Sequence, residues 1–263
     1  MKLATILPTA YLNMTENDDY HMALAHLVGK DMEYTKHFKE LNKLTNYVIL
    51  DNSVIENAQQ TIESVCRKAD EIGAQEIILI DKFKDMAGTL DSSFESLTFV
   101  RTFFPHLKVM AVPQGETMDQ WMECAAEMLD WNIDTLGIPK VLTSIGGRDA
   151  RLHALQLLKP IIDAHRATGK NIDIHLLGCW ESPLELTMIA QAEKQKLIPE
   201  VRGCDSAIAY VYSKAGILIG TDARPEGPVD FGGKVDEPLL LTDNITLWHQ
   251  SVTLKRDKVI NLF

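Results

Sequence analysis

The sequence is short of most features that assign a protein to a class on sight. It has 4 cysteines, Cys66, Cys124, Cys179 and Cys204, with no C-x-x-C pair among them. That spacing gives neither a disulfide framework nor a zinc knuckle, and it fits a reducing, cytosolic compartment. No apolar run approaches the roughly 20 residues a membrane span requires, so no membrane partner is expected. Lys2 and the apolar stretch Leu3 to Leu12 lack a small-residue cleavage site, are broken by Pro8 and run into acidic Glu16, Asp18 and Asp19. A first strand is expected there, not a secretion signal. Cations are also in deficit, with 26 Lys and Arg against 37 Asp and Glu and a net charge of −11. Broad nonspecific affinity for nucleic acid, which depends on cations meeting phosphates, is disfavoured, although a local basic groove is not. No H-E-x-x-H, Cys/His cluster or G-x-S-x-G occurs, so neither a metal nor a cofactor is expected. Low-complexity segments, Pro- or Ser-rich linkers and charge blocks are likewise missing, and one domain over residues 1–263 follows.

What is present is a repeated pattern. Tyr47-Val48-Ile49-Leu50 runs unbroken into Asp51-Asn52-Ser53, Ile77-Ile78-Leu79-Ile80 into Asp81, and Val109-Met110-Ala111-Val112 into Pro113-Gln114. Uninterrupted apolar runs suit parallel strands buried on both faces. Helical sequence between them makes the chain α/β, a single (β/α)8 TIM-type barrel with its chemistry on the rim where the strands end.

In chain order, strands are expected at Leu3–Leu7, Tyr47–Asp51, Glu76–Ile80, Lys108–Val112, Thr135–Ile138, Asn171–Leu177, Val201–Asp205 and Gly216–Ile219. Helical spacing covers Asp19–Lys30, Met32–Lys43, Gln60–Ile72, Ser92–Phe104, Thr117–Trp131, Arg148–Thr168, Ala207–Lys214 and Asn244–Leu254. Gly73 is the expected stop of its helix, and Ser182-Pro183-Leu184-Glu185 reads as a capping box with proline at the first helical position.

Asp51, Asp81, Gln114 and Asp205 each end a strand, so a barrel would bring them to one rim. Carboxylates facing one pocket can divide the roles of nucleophile and general acid or base. An aspartate after a strand also caps loops and helices, so each alone is ambiguous. His175, inside a strand, reads as a hydrogen-bonded core or rim residue. Gly146-Gly147-Arg148 offers a weak phosphate loop, and Tyr210, Tyr212 and Trp180 are candidates for stacking on a base. Lys36, Lys39, Lys43, Lys194, Lys196, Arg202, Lys255, Arg256 and Lys258 are the candidates for a local basic groove, and a solvated surface is expected for most of them.

The strand-end motifs together resemble the tRNA-guanine transglycosylase superfamily, and in particular its phage branch of DNA-guanine transglycosylases. Leu-Asp-Asn-Ser at Asp51, Leu-Ile-Asp at Asp81, Pro-Gln-Gly at Gln114, Leu-Gly-Ile at Gly137, His175-Leu176-Leu177-Gly178, and Arg-Gly-Cys-Asp at Asp205 carry the resemblance. It runs from about residue 47 to 232, with Arg224 and Asp230-Phe231 late in the chain. The resemblance implies a pentosyltransferase that exchanges guanine in DNA for a free 7-deazaguanine base, in a cytoplasm that is the host's if the chain is phage-encoded. Asp205 would attack the sugar C1′ and hold a glycosyl intermediate, and Asp51 would move protons. Asp81 would read the purine edge, Gln114 with the Gly137 backbone would receive its carbonyl, and Asn52 and Gly178 would join the substrate-binding set. The superfamily's zinc site is missing here, Trp180 replaces a glycine of its Gly-x-Gly, and Ala207-Ile208 stands where its tRNA enzymes have Phe-Asp. DNA is therefore the expected polymer, with a tRNA-directed exchanger as an alternative. A barrel hydrolase or lyase using the same carboxylates on a small metabolite is the other. Monomer and homodimer are both open.

Overall fold

In a computed structural model, described here for residues 1–16, 18–44, 47–54, 58, 60–179, 184–221, 223–225 and 231–252, the chain is a (β/α)8 barrel. Its strands are β1 (Lys2–Thr5), β2 (His21–Leu24), β3 (Val48–Asp51), β4 (Glu76–Ile78), β5 (Lys108–Ala111), β6 (Thr135–Pro139), β7 (Asp173–Leu177) and β8 (Val201–Ser206). Every recorded pairing is parallel, in the order β1-β8-β7-β6-β5-β4-β3-β2. The helices are α1 (Met32–Lys43), α2 (Ile62–Ile72), α3 (Met86–Phe103), α4 (Met118–Asp130), α5 (Thr143–Gly146), α6 (Ala150–Ala167), α7 (Leu184–Lys194), α8 (Ile208–Lys214) and α9 (Pro238–Gln250).

Local chemistry sets the helix ends. Asp31, Thr61, Asp85 and Thr117 each accept backbone N–H bonds in the first turn of α1, α2, α3 and α4, which satisfies donors that otherwise lack partners. Gly73 closes α2 at φ +71°, the left-handed conformation a Cβ disfavours. The Ser182-Pro183 half of the expected capping box lies outside the described residues.

The expected count of strands holds, but their identities shift. Gly216–Ile219 is not a strand, and the missing one is β2, within the stretch that reads as a helix. His21-Met22-Ala23-Leu24 consists mostly of good helix formers. All four residues are buried, however, and they pair with β3 from His21↔Val48 to Leu24↔Asp51. Burial on both faces overrides the weak local preference.

The barrel is closed at β1 and β2 by side chains. The Leu3 N–H donates to Asp19 Oδ2 at 3.2 Å, and the Thr5 N–H donates to Asp18 Oδ2 at 2.5 Å. His249 from α9 reaches the same Asp18 at 2.9 Å, tying the last described helix to this seam.

Two apolar layers result. Between strands and helices lies the large core, with Trp121, Leu50, Ile77, Leu136 and Leu155 fully buried. Inside the barrel a smaller cluster packs Ala4, Tyr20, Met22, Ile49, Ile78, Met110 and Val112. This inner cluster settles which face of each strand looks inward, and so which strand-end residues look into the mouth. No described helix is long and apolar enough to cross a membrane.

Candidate functional site

Asp205 and Asp51 are on the inward phase of their strands. Asp205 stands level with Ala4 of the inner cluster, and Asp51 follows Tyr47 and Ile49 by the alternation of β3. Asp51 ends β3 and Asp205 is next to last in β8, so both look into the mouth of the barrel from its C-terminal side. Asp205 Oδ1 lies 2.9 Å from His175 Nε2, and Oδ2 has no partner among the described residues. The histidine is fully buried and Asp205 is 4% exposed.

Below Asp205 the barrel axis is polar. His175 stands beside glycines on both neighbouring strands, Gly137 on β6 and Gly203 on β8. A side chain at Gly203 would press within 3.0 Å of the Tyr20 ring. With glycine there, Tyr20 lies edge-on to the imidazole at 5.4 Å, its hydroxyl 3.3 Å from Nε2. Burial, and next the charge of Asp205, push the Tyr20 phenol well above its ordinary range, so it keeps its proton. Deeper still, Arg202 donates to Glu76 at 2.7 Å and to Thr135 Oγ1 at 3.2 Å, and comes within 3.4 Å of His175 Nδ1. Tyr47 adds its hydroxyl to Glu76 at 2.7 Å. Arg202, 21% exposed at its side chain, thus turns its guanidinium inward to the wholly buried Glu76 instead of standing free on the solvated surface. A single charge inside the otherwise uncharged run Val201-Arg202-Gly203-Cys204 was the available signal. Tyr20 was missed because its segment reads as helical.

Asp81, Asn52 and Gln114 come together, but as a hydrogen-bonded brace between the rims of β3, β4 and β5. Asn52 Nδ2 donates to Asp81 Oδ1 at 2.8 Å and to Leu79 O at 2.6 Å, while Gln114 Nε2 donates to Asp81 Oδ2 at 2.7 Å. The amide oxygens of Asn52 and Gln114 accept from the N–H groups of Val54 and Lys84. All three side chains are buried, and burial raises the Asp81 carboxyl above its ordinary range while the two amides pull it back. This is the loop-capping use that the sequence left open for Asp81.

Gly137 faces filled space, since a Cβ there would come within 3.0 Å of Met110, Leu177 and Val112. Gly178 turns at φ +74°, and its carbonyl accepts from Arg151, which is wholly buried in a two-pronged ion pair with Glu185. Tyr210 and Tyr212 are core residues; the Tyr210 hydroxyl donates to Gly233 O, and Phe231 lies against its ring. They form no stacking platform at the rim. Gly147 joins α5 to α6 at φ +83°. Trp180 and Asp230 lie outside the described residues. Among the described residues, no group of three or more His, Cys, Asp or Glu is placed to hold a metal ion.

No family model matches the chain, and no curated protein does. Similar solved structures include a mandelate racemase/muconate lactonizing enzyme from Roseiflexus sp., 17% identical with a TM-score of 0.48, covering 78% of this chain and 55% of its own. This chain therefore spans about half the length of that enzyme. An N-acetylneuraminate lyase from Mycoplasma synoviae is 12% identical, TM-score 0.46, covering 80% and 70%. An aldolase/citrate lyase family protein from Burkholderia cenocepacia is 8% identical, TM-score 0.46, covering 78% and 87%. The barrel rests on the strand order of this chain itself, and no reaction is taken from these likenesses.

None of the three is a guanine transglycosylase. With no family model behind it, the resemblance to that superfamily is overturned, and guanine exchange, pentosyl transfer, the 7-deazaguanine base and the phage context go with it. The physical reason is that its motifs were short strand ends. Apolar runs that close on a polar residue are compatible with parallel barrels of unrelated chemistry, because rim residues also cap loops and helices.

Proposed function

We propose that this chain is a barrel enzyme of the hydrolase or lyase kind, acting on a small metabolite held in the mouth between Asp205 and Asp51. The observation that carries the reading is the asymmetry of Asp205. One oxygen is anchored on a buried histidine, and the other has no partner among the described residues and sits on the inward, C-terminal side of the barrel. A carboxylate held by one oxygen and open at the other is arranged as a proton acceptor. In a lyase it takes a proton from carbon as the bond to the leaving group breaks. In a hydrolase it takes the proton from water. Asp51, at the end of β3 on the same rim, is the group we assign to return a proton to the departing atom. The overall charge also fits a small molecule better than a nucleic-acid polymer, since a net charge of −11 disfavours broad affinity for phosphates.

The test is a proton NMR screen in D2O with small hydroxy, oxo and amino acids. Turnover appears as loss of a C–H signal or as new product resonances, and binding alone appears as ligand line broadening. The reading expects turnover that Asp205→Asn removes. Broadening without any bond change would mark a binding module instead, and turnover untouched by Asp205→Asn would take that residue out of the chemistry.

A further inference from the structure

Arg202 and Glu76 lie at the opposite end of the barrel from the mouth, a whole layer below Asp205. Glu76 is wholly buried and Arg202 is 21% exposed at its side chain, and such a pair adds little net stability, because desolvation offsets the attraction. Its geometry toward the next layer is specific, however. Two guanidinium hydrogens face Glu76, another faces Thr135, and a further one points at His175 Nδ1, 3.4 Å away. Guanidinium can only donate. The nitrogen it faces must therefore offer a lone pair, and the ring proton is left on Nε2, 2.9 Å from Asp205 Oδ1.

We infer that Arg202, steadied by Glu76, is a positioning residue that locks His175 in its Nε2–H tautomer and so fixes which oxygen of Asp205 is anchored and which is presented to the mouth. The inference rests on the functional reading only for the use made of Asp205; the tautomer is a property of the resting protein. The groups facing the imidazole are few: Arg202 on Nδ1, and Asp205 and the protonated Tyr20 hydroxyl on Nε2, with Asp173 and Tyr47 acting on it only through Arg202. Tyr20 cannot fix the tautomer by itself, because a hydroxyl accepts from N–H as readily as it donates to a lone pair. The Asp205 carboxylate, which only accepts, calls for the proton on Nε2, and the arginine, which only donates, calls for a lone pair on Nδ1. Without the arginine the carboxylate alone holds the tautomer, and the Nδ1–H form, which gives Asp205 no anchor, gains population.

The experiment is long-range proton–nitrogen NMR of the intact, 15N-histidine-labelled protein, with His175 assigned by His175→Asn. The wild type should show one nitrogen pattern for His175, with the proton on Nε2. Arg202→Met should add a measurable share of the Nδ1–H form to that pattern. That variant leaves Glu76 buried without a partner and is at risk of not folding, so Arg202→Met/Glu76→Gln, which removes both charges, carries the same expectation. A wild-type spectrum with the proton on Nδ1, or on both nitrogens, overturns the assignment without any variant. An unchanged Nε2–H pattern in the folded double variant overturns the role of Arg202. Neither readout needs a substrate, so failure of the functional proposal and failure of this one are told apart.

Discussion

His175 Nε2 lies 2.9 Å from Asp205 Oδ1 inside the barrel, on adjacent strands and two residues below the rim. The pair belongs to no local motif. Thirty residues separate its members in the chain, and β7 beside β8 is what brings them together.

Asp205→Asn keeps the size of the side chain and removes the proton acceptor. Turnover of whatever substrate the screen yields should fall by about 10²–10⁴-fold, the usual share of a general base. Circular dichroism should be unchanged. A variant with wild-type rates would place the chemistry elsewhere.

Asp81→Asn should weaken the fold. Both Asp81 oxygens receive amide donors, from Asn52 and Gln114. An amide at position 81 turns an N–H toward one of them, and neither can flip without losing the backbone N–H of Val54 or Lys84. The cost should be about 1–3 kcal/mol by urea denaturation. Unchanged stability together with lost ligand binding would instead return Asp81 to the substrate site.

Arg151 is wholly buried against Glu185, which is 16% exposed at its side chain, and also holds the Gly178 carbonyl at 2.7 Å. Arg151→Met breaks the pair on one side and should cost about 3–5 kcal/mol. Arg151→Met/Glu185→Leu should recover part of that loss, since no charge is then stranded. A single variant as stable as the wild type would show that the pair contributes nothing.

Stability should fall as the solution is acidified below about pH 6.5, the ordinary imidazole value. Burial, the first cause in each case, lowers His21 and His37, and the Nε2 atom of each is buried without a hydrogen-bond partner among the described residues. Between the ordinary value and the lowered ones, the unfolded chain binds protons that the folded chain does not. Stability is therefore complete above this window and declines as pH drops through it, by at most about 2.7 kcal/mol per pH unit for two groups. Asp81, raised, has the opposite sign in the carboxylate range: the folded state holds the extra proton, and stability falls as pH rises through its window. Melting curves of the wild type and His37→Leu at pH 7.5 and pH 5.5 isolate the imidazole contribution. The difference between the two proteins should shrink or change sign at the lower pH, and a constant difference would refute the assignment.

Periodicity and composition alone determined much of this protein. Unbroken apolar runs at Val48–Asp51 and Lys108–Ala111 could be satisfied only by parallel strands buried on both faces, and the spacing of helices between them led to an eight-stranded barrel. Capping residues such as Thr61 and Thr117 and the stop at Gly73 were legible for the same reason, since each acts within one turn of its own position. Asp51 and Asp205 could be assigned to the mouth once the strands were known. The tertiary structure decided everything that depends on what lies opposite. His21–Leu24 became a strand because β3 and the two cores enclose it, against the leaning of its own residues. Asp81 was turned into a brace by two amides from neighbouring rims, and Arg202 was drawn inside by Glu76, 126 positions away. A residue's identity limits the bonds it can make; only packing selects its partners, and in this barrel they anchor one oxygen of Asp205 but both oxygens of Asp81.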